Sequence, residues 1–371
     1  MKQEKKHSNV LLKPLINIVI GADSMKIDTK ELQNNWKHYT LTNDSGMEVS
    51  FLNYGGIITN IMVPDKNGLV ENVVLGYKDY NDYRTNPNFF GAIIGRVAGR
   101  IQDSSFELNG ETYSLTPNEG KNHLHGGQNG FHQVIWNATP FQTASSIGVK
   151  LKHESPDGEG GYPGELVVTV TYELTNDNQL IISYEGTTTK TTALTLTNHS
   201  YFNLSGNLQN TIHNHHVTMD SHRFIELDQS LIPTGQLLDV TDTPFDFVSG
   251  RNLTDGIEST FKQNKIAGNG YDHYFLFDQQ KKENVVVKEA NSGRVLTVET
   301  DQPGMVMYTS NGLDDNLALA EGPSKPYLGI CFETQSSPAS LHHEGFPSVV
   351  LLPNEKYESR TVFSFGVDSY I

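Results

Sequence analysis

The segment NHLHGG, residues 122–127, sets two histidines two residues apart and follows them with paired glycines. On a β-strand that spacing turns both imidazoles to one face, where they can hold a metal, serve a substrate or pack. The chain has 14 histidines, and His7, His38, His153, His213, His215, His216, His222, His342 and His343 sit in polar or turn-like sequence that reads as solvated surface. That leaves His123, His125, His132, His199 and His273. His199 follows an alternating strand over 192–198, so it is expected to reach from a rigid strand end into a cleft.

Most of the 43 acidic residues are expected to face solvent. Glu333 differs because it follows the apolar run 328–332, and burial raises a carboxyl group toward the range where it acts as a base near neutral pH. A structural glutamate paired with an arginine is the alternative. Asp272 stands just before the apolar strand HYFLF, where it reads as a strand-start cap or as a site acid. In GAIIGRVAGRI, residues 91–101, Gly91, Gly95 and Gly99 are four apart, but no βα unit precedes them and no lysine and serine stand at phosphate positions. Their expected use is close backbone approach, with one of Arg96 and Arg100 structural and the other a ligand for hydroxyl oxygens. A metal-binding barrel with an H-x-H pair needs a glutamate a few residues later, where this chain has Gln128 and Asn129, so no metal is predicted.

The elements that must position these groups are strands. In ELVVTVTYELTNDNQLIISYEG, Val168, Val170 and Tyr172 alternate with Val167, Thr169 and Thr171, residues 175–178 supply a turn, and 180–184 runs back. Similar short strands recur around SFELNGETYSL, NHHVTMD, HYFLF, NVVVKEANSGRVLTVETD and SVVLLPNEKYESRTVFSF, with Asn109-Gly110 and Ser292-Gly293 as turns. The helical patterns are confined to 30–36 and 77–83. Many short strands without intervening long helices predict an all-β chain built as a large antiparallel β-sandwich. The expected organisation is one β-domain over 37–371 after a loosely ordered extension over 1–36.

A formal charge of −16 argues against nucleic acid or anionic membrane partners. Cys331 is the sole cysteine, which excludes an internal disulfide, a four-thiolate zinc site or an iron–sulfur cluster within one chain and suits a reducing cytoplasm. The N-terminal apolar run 15–20 is cut short by Lys13 and Pro14, which reads against export, and no run approaches the ~18 apolar residues of a membrane span.

The segments NYGGIITNIMVPDKNG, GAIIGRVAGRI, NHLHGG, TLTNHSYFNLSG, GYDH and FETQSSPAS, in that order over roughly 40–360, resemble the aldose 1-epimerase family. The resemblance implies a mutarotase-like supersandwich with an open sugar cleft, and cofactor-free interconversion of the α and β anomers of galactose and glucose in hexose metabolism. It implies Glu333 as general base, His199 as general acid, His125 near the ring oxygen, and Asp272 and Arg100 on sugar hydroxyls. It implies Asn198, Tyr201, Gln335 and His123 as lining or support. Such chemistry removes the C1 hydroxyl proton while protonating the ring oxygen, and reclosure of the free aldehyde inverts the anomeric centre. A carboxylate and an imidazolium suffice, and because reclosure reverses the first step both pKa values are expected near working pH. Two departures bear on sugar preference: Gly99 stands where relatives often carry asparagine, and Val306 where they often carry glutamine or an aromatic. The alternatives are a hexose-6-phosphate 1-epimerase, which would want basic residues at the cleft rim, and a non-catalytic sugar-binding module. A monomer or weak dimer is expected, with a monosaccharide as partner.

Overall fold

Alternation is the organising rule. In the computed structural model, which describes residues 24–279 and 282–368, the strand Leu166–Thr175 buries Leu166, Val168, Val170, Tyr172 and Leu174 and turns the residues between them outward. It pairs antiparallel with Gln179–Thr188 through the predicted turn, matching Leu174 to Leu180. This hairpin lies within a nine-stranded sheet, which faces a six-stranded sheet and a five-stranded meander. One core joins all three: Val149, Val170 and Phe363 from the first, Phe275, Met307 and Phe332 from the second, and Leu41, Phe51 and Ile61 from the third. The chain is thus the large antiparallel β-sandwich that its alternation predicts. Both predicted turn pairs join strands, Asn109-Gly110 with φ of 54° and 79° between Ser105–Leu108 and Glu111–Ser114, and Ser292-Gly293 ahead of Arg294–Thr300.

Two expectations are corrected. Lys26–Glu31 is a strand paired with Lys37–Thr42, so regular structure begins well before residue 37. Its polar sequence hid it, because an edge strand with only Ile27 packed on the core needs little apolar alternation. The helical patterns at 30–36 and 77–83 resolve into single 3₁₀ turns at Gln33–Asn35 and Tyr80–Arg84. The α-helices among the described residues, Thr254–Ile257 and Lys262–Ile266, are barely a turn each. Residues 1–23, including the apolar run 15–20, lie outside the described residues. No described helix is long and apolar enough to cross a membrane.

The six-stranded sheet matters most for function, because its two faces do different work. In Asp272–Leu276, Gly304–Tyr308 and Ile330–Thr334, Phe275, Met305, Met307, Ile330 and Phe332 face the core. The period of two then sends Asp272, Tyr274, Val306, Tyr308 and Glu333 to the opposite face, where all five line one cavity.

Candidate active site

Strand register sets the floor of this cavity, which encloses about 280 Å³. Val306 lies directly across from Glu333, and Asp272 across from Tyr308, so the carboxylates are fixed by backbone pairing. Walls come from the glycine-rich segments. Leu124 pairs with Arg100 in a short two-stranded ladder, which brings the NHLHGG and GAIIGRVAGRI motifs together. His199 leaves the end of Thr197–Asn198 with its backbone locked on both sides: its N–H donates to the Ala92 carbonyl at 2.9 Å, and its carbonyl accepts from Gly91 at 3.0 Å.

The two histidines of NHLHGG do not share a face. The strand ends at Leu124, and His125 takes a left-handed backbone with φ of 52°. His123 points behind the wall, its Nδ1 on the Thr116 carbonyl at 2.6 Å and its Nε2 on the Tyr162 hydroxyl at 2.8 Å. His125 turns into the cavity instead. Its Nδ1 accepts the Gly99 N–H at 3.0 Å, so in the neutral ring the proton sits on Nε2, which becomes a fixed hydrogen-bond donor. The following glycines serve packing: a Cβ on Gly126 would strike the Gly95 carbonyl, and one on Gly127 would come within 2.7 Å of the His123 ring.

His199 Nε2 lies 3.5 Å from Glu333 Oε1, with both side chains buried. The separation is that of an ion pair, but burial drives the pair toward neutrality. It lowers His199 to about 4 and, aided by Asp272 against Arg100, lifts Glu333 well above the usual carboxylate range. For His199 the expectation of a pKa near working pH is therefore corrected, because its charge has no water to stabilise it, whereas Glu333 is raised in the direction that its burial predicts. Burial likewise holds His125 well below the ordinary imidazole value, and it raises Asp272 despite the opposing Arg100. Glu333 Oε2 and Gln335 Oε1 are buried without a protein partner. His125, His199 and Glu333 bring donor atoms within 4.8 Å of one another, yet an Nε2 that carries a proton is no metal ligand.

Arg100 spans the remaining wall. Its Nε and Nη2 donate to Glu119 at 2.6 and 2.9 Å, while Nη1 stands 3.6 Å from Asp272. Burial works against its charge, but Asp272 and Glu119 more than offset that and strengthen it. Arg96 is the structural arginine of the pair, its guanidinium spent on Ser155 and on the carbonyls of Ser155, Pro156 and Pro163.

The structure therefore gathers Glu333, His199, His125, Arg100, Asp272, Tyr201 and Gln335 around one cavity. Asn198 is not among them. Its amide donates to the Gly91 carbonyl and the Tyr172 hydroxyl while its oxygen caps Ser200, so it supports the wall from behind. The surface reading fails for His215, which is buried and accepts the Leu204 N–H at 2.8 Å, and for half-buried His153, packed against Phe131 and Trp136. Their polar neighbours in sequence conceal apolar neighbours in space. Phe89, Glu119 and Tyr308 escaped the sequence reading. Phe89 packs its ring 4.8 Å from His125 and 5.9 Å from His199, and only its place in a glycine-proximal turn hinted at a role.

Residues 37–364 match the family model described as aldose 1-epimerase. The chain belongs to the aldose 1-epimerase family. It is 40% identical to a galactose mutarotase of Sus scrofa over 324 residues, spanning 86% of this chain and 92% of that relative. It is 33% identical to an aldose 1-epimerase of Escherichia coli over 331 residues, 88% of this chain and 94% of that one. The crystal structure of a galactose 1-epimerase from Lactobacillus acidophilus superposes with a TM-score of 0.82 at 29% identity, covering 93% of this chain and 99% of that one. As a member of this family the chain is a carbohydrate epimerase, an isomerase acting as a mutarotase. The cavity in which Glu333 meets His199 is the candidate centre for that reaction.

Proposed function

We propose that this aldose 1-epimerase interconverts the α and β anomers of D-galactose, and of D-glucose, with Glu333 and His199 as its acid–base pair. The observation that carries the reading is their 3.5 Å approach in a cavity where Glu333 Oε2 has no protein partner. A C1 hydroxyl donating to Oε2 favours the carboxylate form and sends the proton of the pair toward His199. Glu333 then takes the hydroxyl proton as His199 protonates the ring oxygen, and the Nε2–H of His125 steadies that oxygen. After rotation about C1–C2 the steps reverse, and the pair ends as it began. Each group so placed contributes ~10² to 10⁴-fold, ample for a reaction that water alone carries slowly. Arg100 and Asp272 hold hydroxyls of the ring, and Tyr201 and Gln335 complete the lining.

The charge pattern supports a neutral sugar over a hexose 6-phosphate. Arg100 is the sole arginine or lysine among the described lining residues, and Glu119 and Asp272 already flank it. A non-catalytic sugar binder would have no use for two buried titratable groups in contact. The family match over 37–364, with the strand Lys26–Glu31 paired onto the same sheet, supports reading one β-domain that begins before residue 37, and the lone buried cysteine suits a reducing cytoplasm. The test is the decay of optical rotation in fresh α-D-galactose, α-D-glucose and α-maltose, a maltose epimerase being 31% identical over 90% of this chain. The rate for galactose is expected to rise in proportion to protein concentration. A rate equal to that of buffer for all three would overturn the reading.

A further inference from the structure

We infer that Glu119 is a positioning and specificity-determining residue that reserves Arg100 for neutral sugar hydroxyls and turns anionic sugars away. Three observations converge on it. Glu119 takes two of the three nitrogens of Arg100, at 2.6 and 2.9 Å, which leaves Nη1 as the group that faces Asp272 and the cavity. A two-point grip of this kind fixes the plane of a guanidinium as well as its place. Glu119 is itself anchored, since its N–H and carbonyl exchange hydrogen bonds with Asn122 at 3.1 and 2.9 Å, immediately before His123 and His125. The clamp therefore ties the orientation of Arg100 to the turn that delivers His125.

The third observation is the charge balance. Glu119 and Asp272 flank one guanidinium, so its positive field is matched before any ligand arrives. A carboxylate on a sugar entering this site meets no uncompensated cation. Removing the charge of Glu119 while keeping its shape changes two things in opposite directions. Arg100 loses its orientation, which weakens a neutral aldose, and it regains part of its field, which strengthens an anionic one. The Glu119 side chain is 37% exposed, so water screens each effect to about three- to fivefold.

The inference rests on the reading that this cavity binds an aldose, and the test separates the two. The full chain and its Glu119→Gln variant are titrated calorimetrically with D-galactose and with D-galacturonate, and galactose turnover is followed by polarimetry. For the variant we expect weaker galactose binding and a raised KM with kcat nearly unchanged, together with tighter galacturonate binding. A loss of fold moves both affinities the same way, so the opposite signs are diagnostic. In an Arg100→Lys background the same substitution is expected to lose its opposite-sign effect. Affinities that move together, do not move, or still diverge without Arg100 overturn the inference. Failure of the unaltered chain to bind galactose overturns the functional reading instead.

Discussion

At the residue scale the site is a study in how burial redistributes protons. The apolar run before Glu333 already predicts a carboxyl raised by burial, but only the structure shows His199 stripped of water as well and lowered to about 4. The residue types were legible because Glu333 follows an apolar run and His199 ends an alternating strand. The protonation of His199 was not, since it depends on what surrounds the ring in space. The same holds for Glu119, one acid among 43, whose role exists only through its contact with Arg100. Lysine at position 100 keeps the charge but has no fork for Glu119 and no fixed plane. Arg100→Lys is therefore expected to raise KM for galactose about tenfold while kcat changes less, as measured by polarimetry over a range of sugar concentrations. An unchanged KM would remove Arg100 from substrate binding.

At the element scale the informative feature is the junction of short ladders with left-handed turns. Period two revealed the long strands because each must show one face to the core, as Leu166–Thr175 does. It could not reveal that the strand through His123 stops after Leu124, since a backbone turn at a non-glycine residue leaves no mark in hydropathy. Gly126 is where the wall is tightest, with φ of 86° and the Gly95 carbonyl in the place of a side chain. Gly126→Ala is expected to lower stability by about 1–3 kcal/mol in urea unfolding and to reduce activity by moving His125. Gly110→Ala is the control: its φ is 79°, but open space surrounds it, so strain alone acts and costs about 1 kcal/mol. Equal losses in the two variants would show that the Gly95 contact contributes nothing.

At the scale of the whole molecule, three sheets share a single core, and that core also sets how the protein responds to acid. His132, His215 and His273 are buried and held neutral by desolvation, at about 4, 4 and 3. Unfolded, each binds a proton below about 6.5. Their depressed folded values mean that the native state gains nothing from protonation there, so stability is full above pH 6.5 and falls as pH drops toward 4. Glu333 and Asp272, raised by burial, act in the opposite sense and reduce the net loss. We expect Tm to fall between pH 7 and pH 5, and the fall to be shallower in His273→Phe, which removes one such group from the contact with Phe224 and Phe245. A Tm that holds or rises over that interval would contradict the assignment. The proposed reaction rests on a single buried acid–base pair, Glu333 and His199. The most direct test is polarimetric mutarotation of α-D-galactose by Glu333→Gln, which preserves shape and removes the titrating group. With circular dichroism unchanged, its kcat is expected to drop by at least about 10²-fold. A rate equal to that of the unaltered protein would contradict the account.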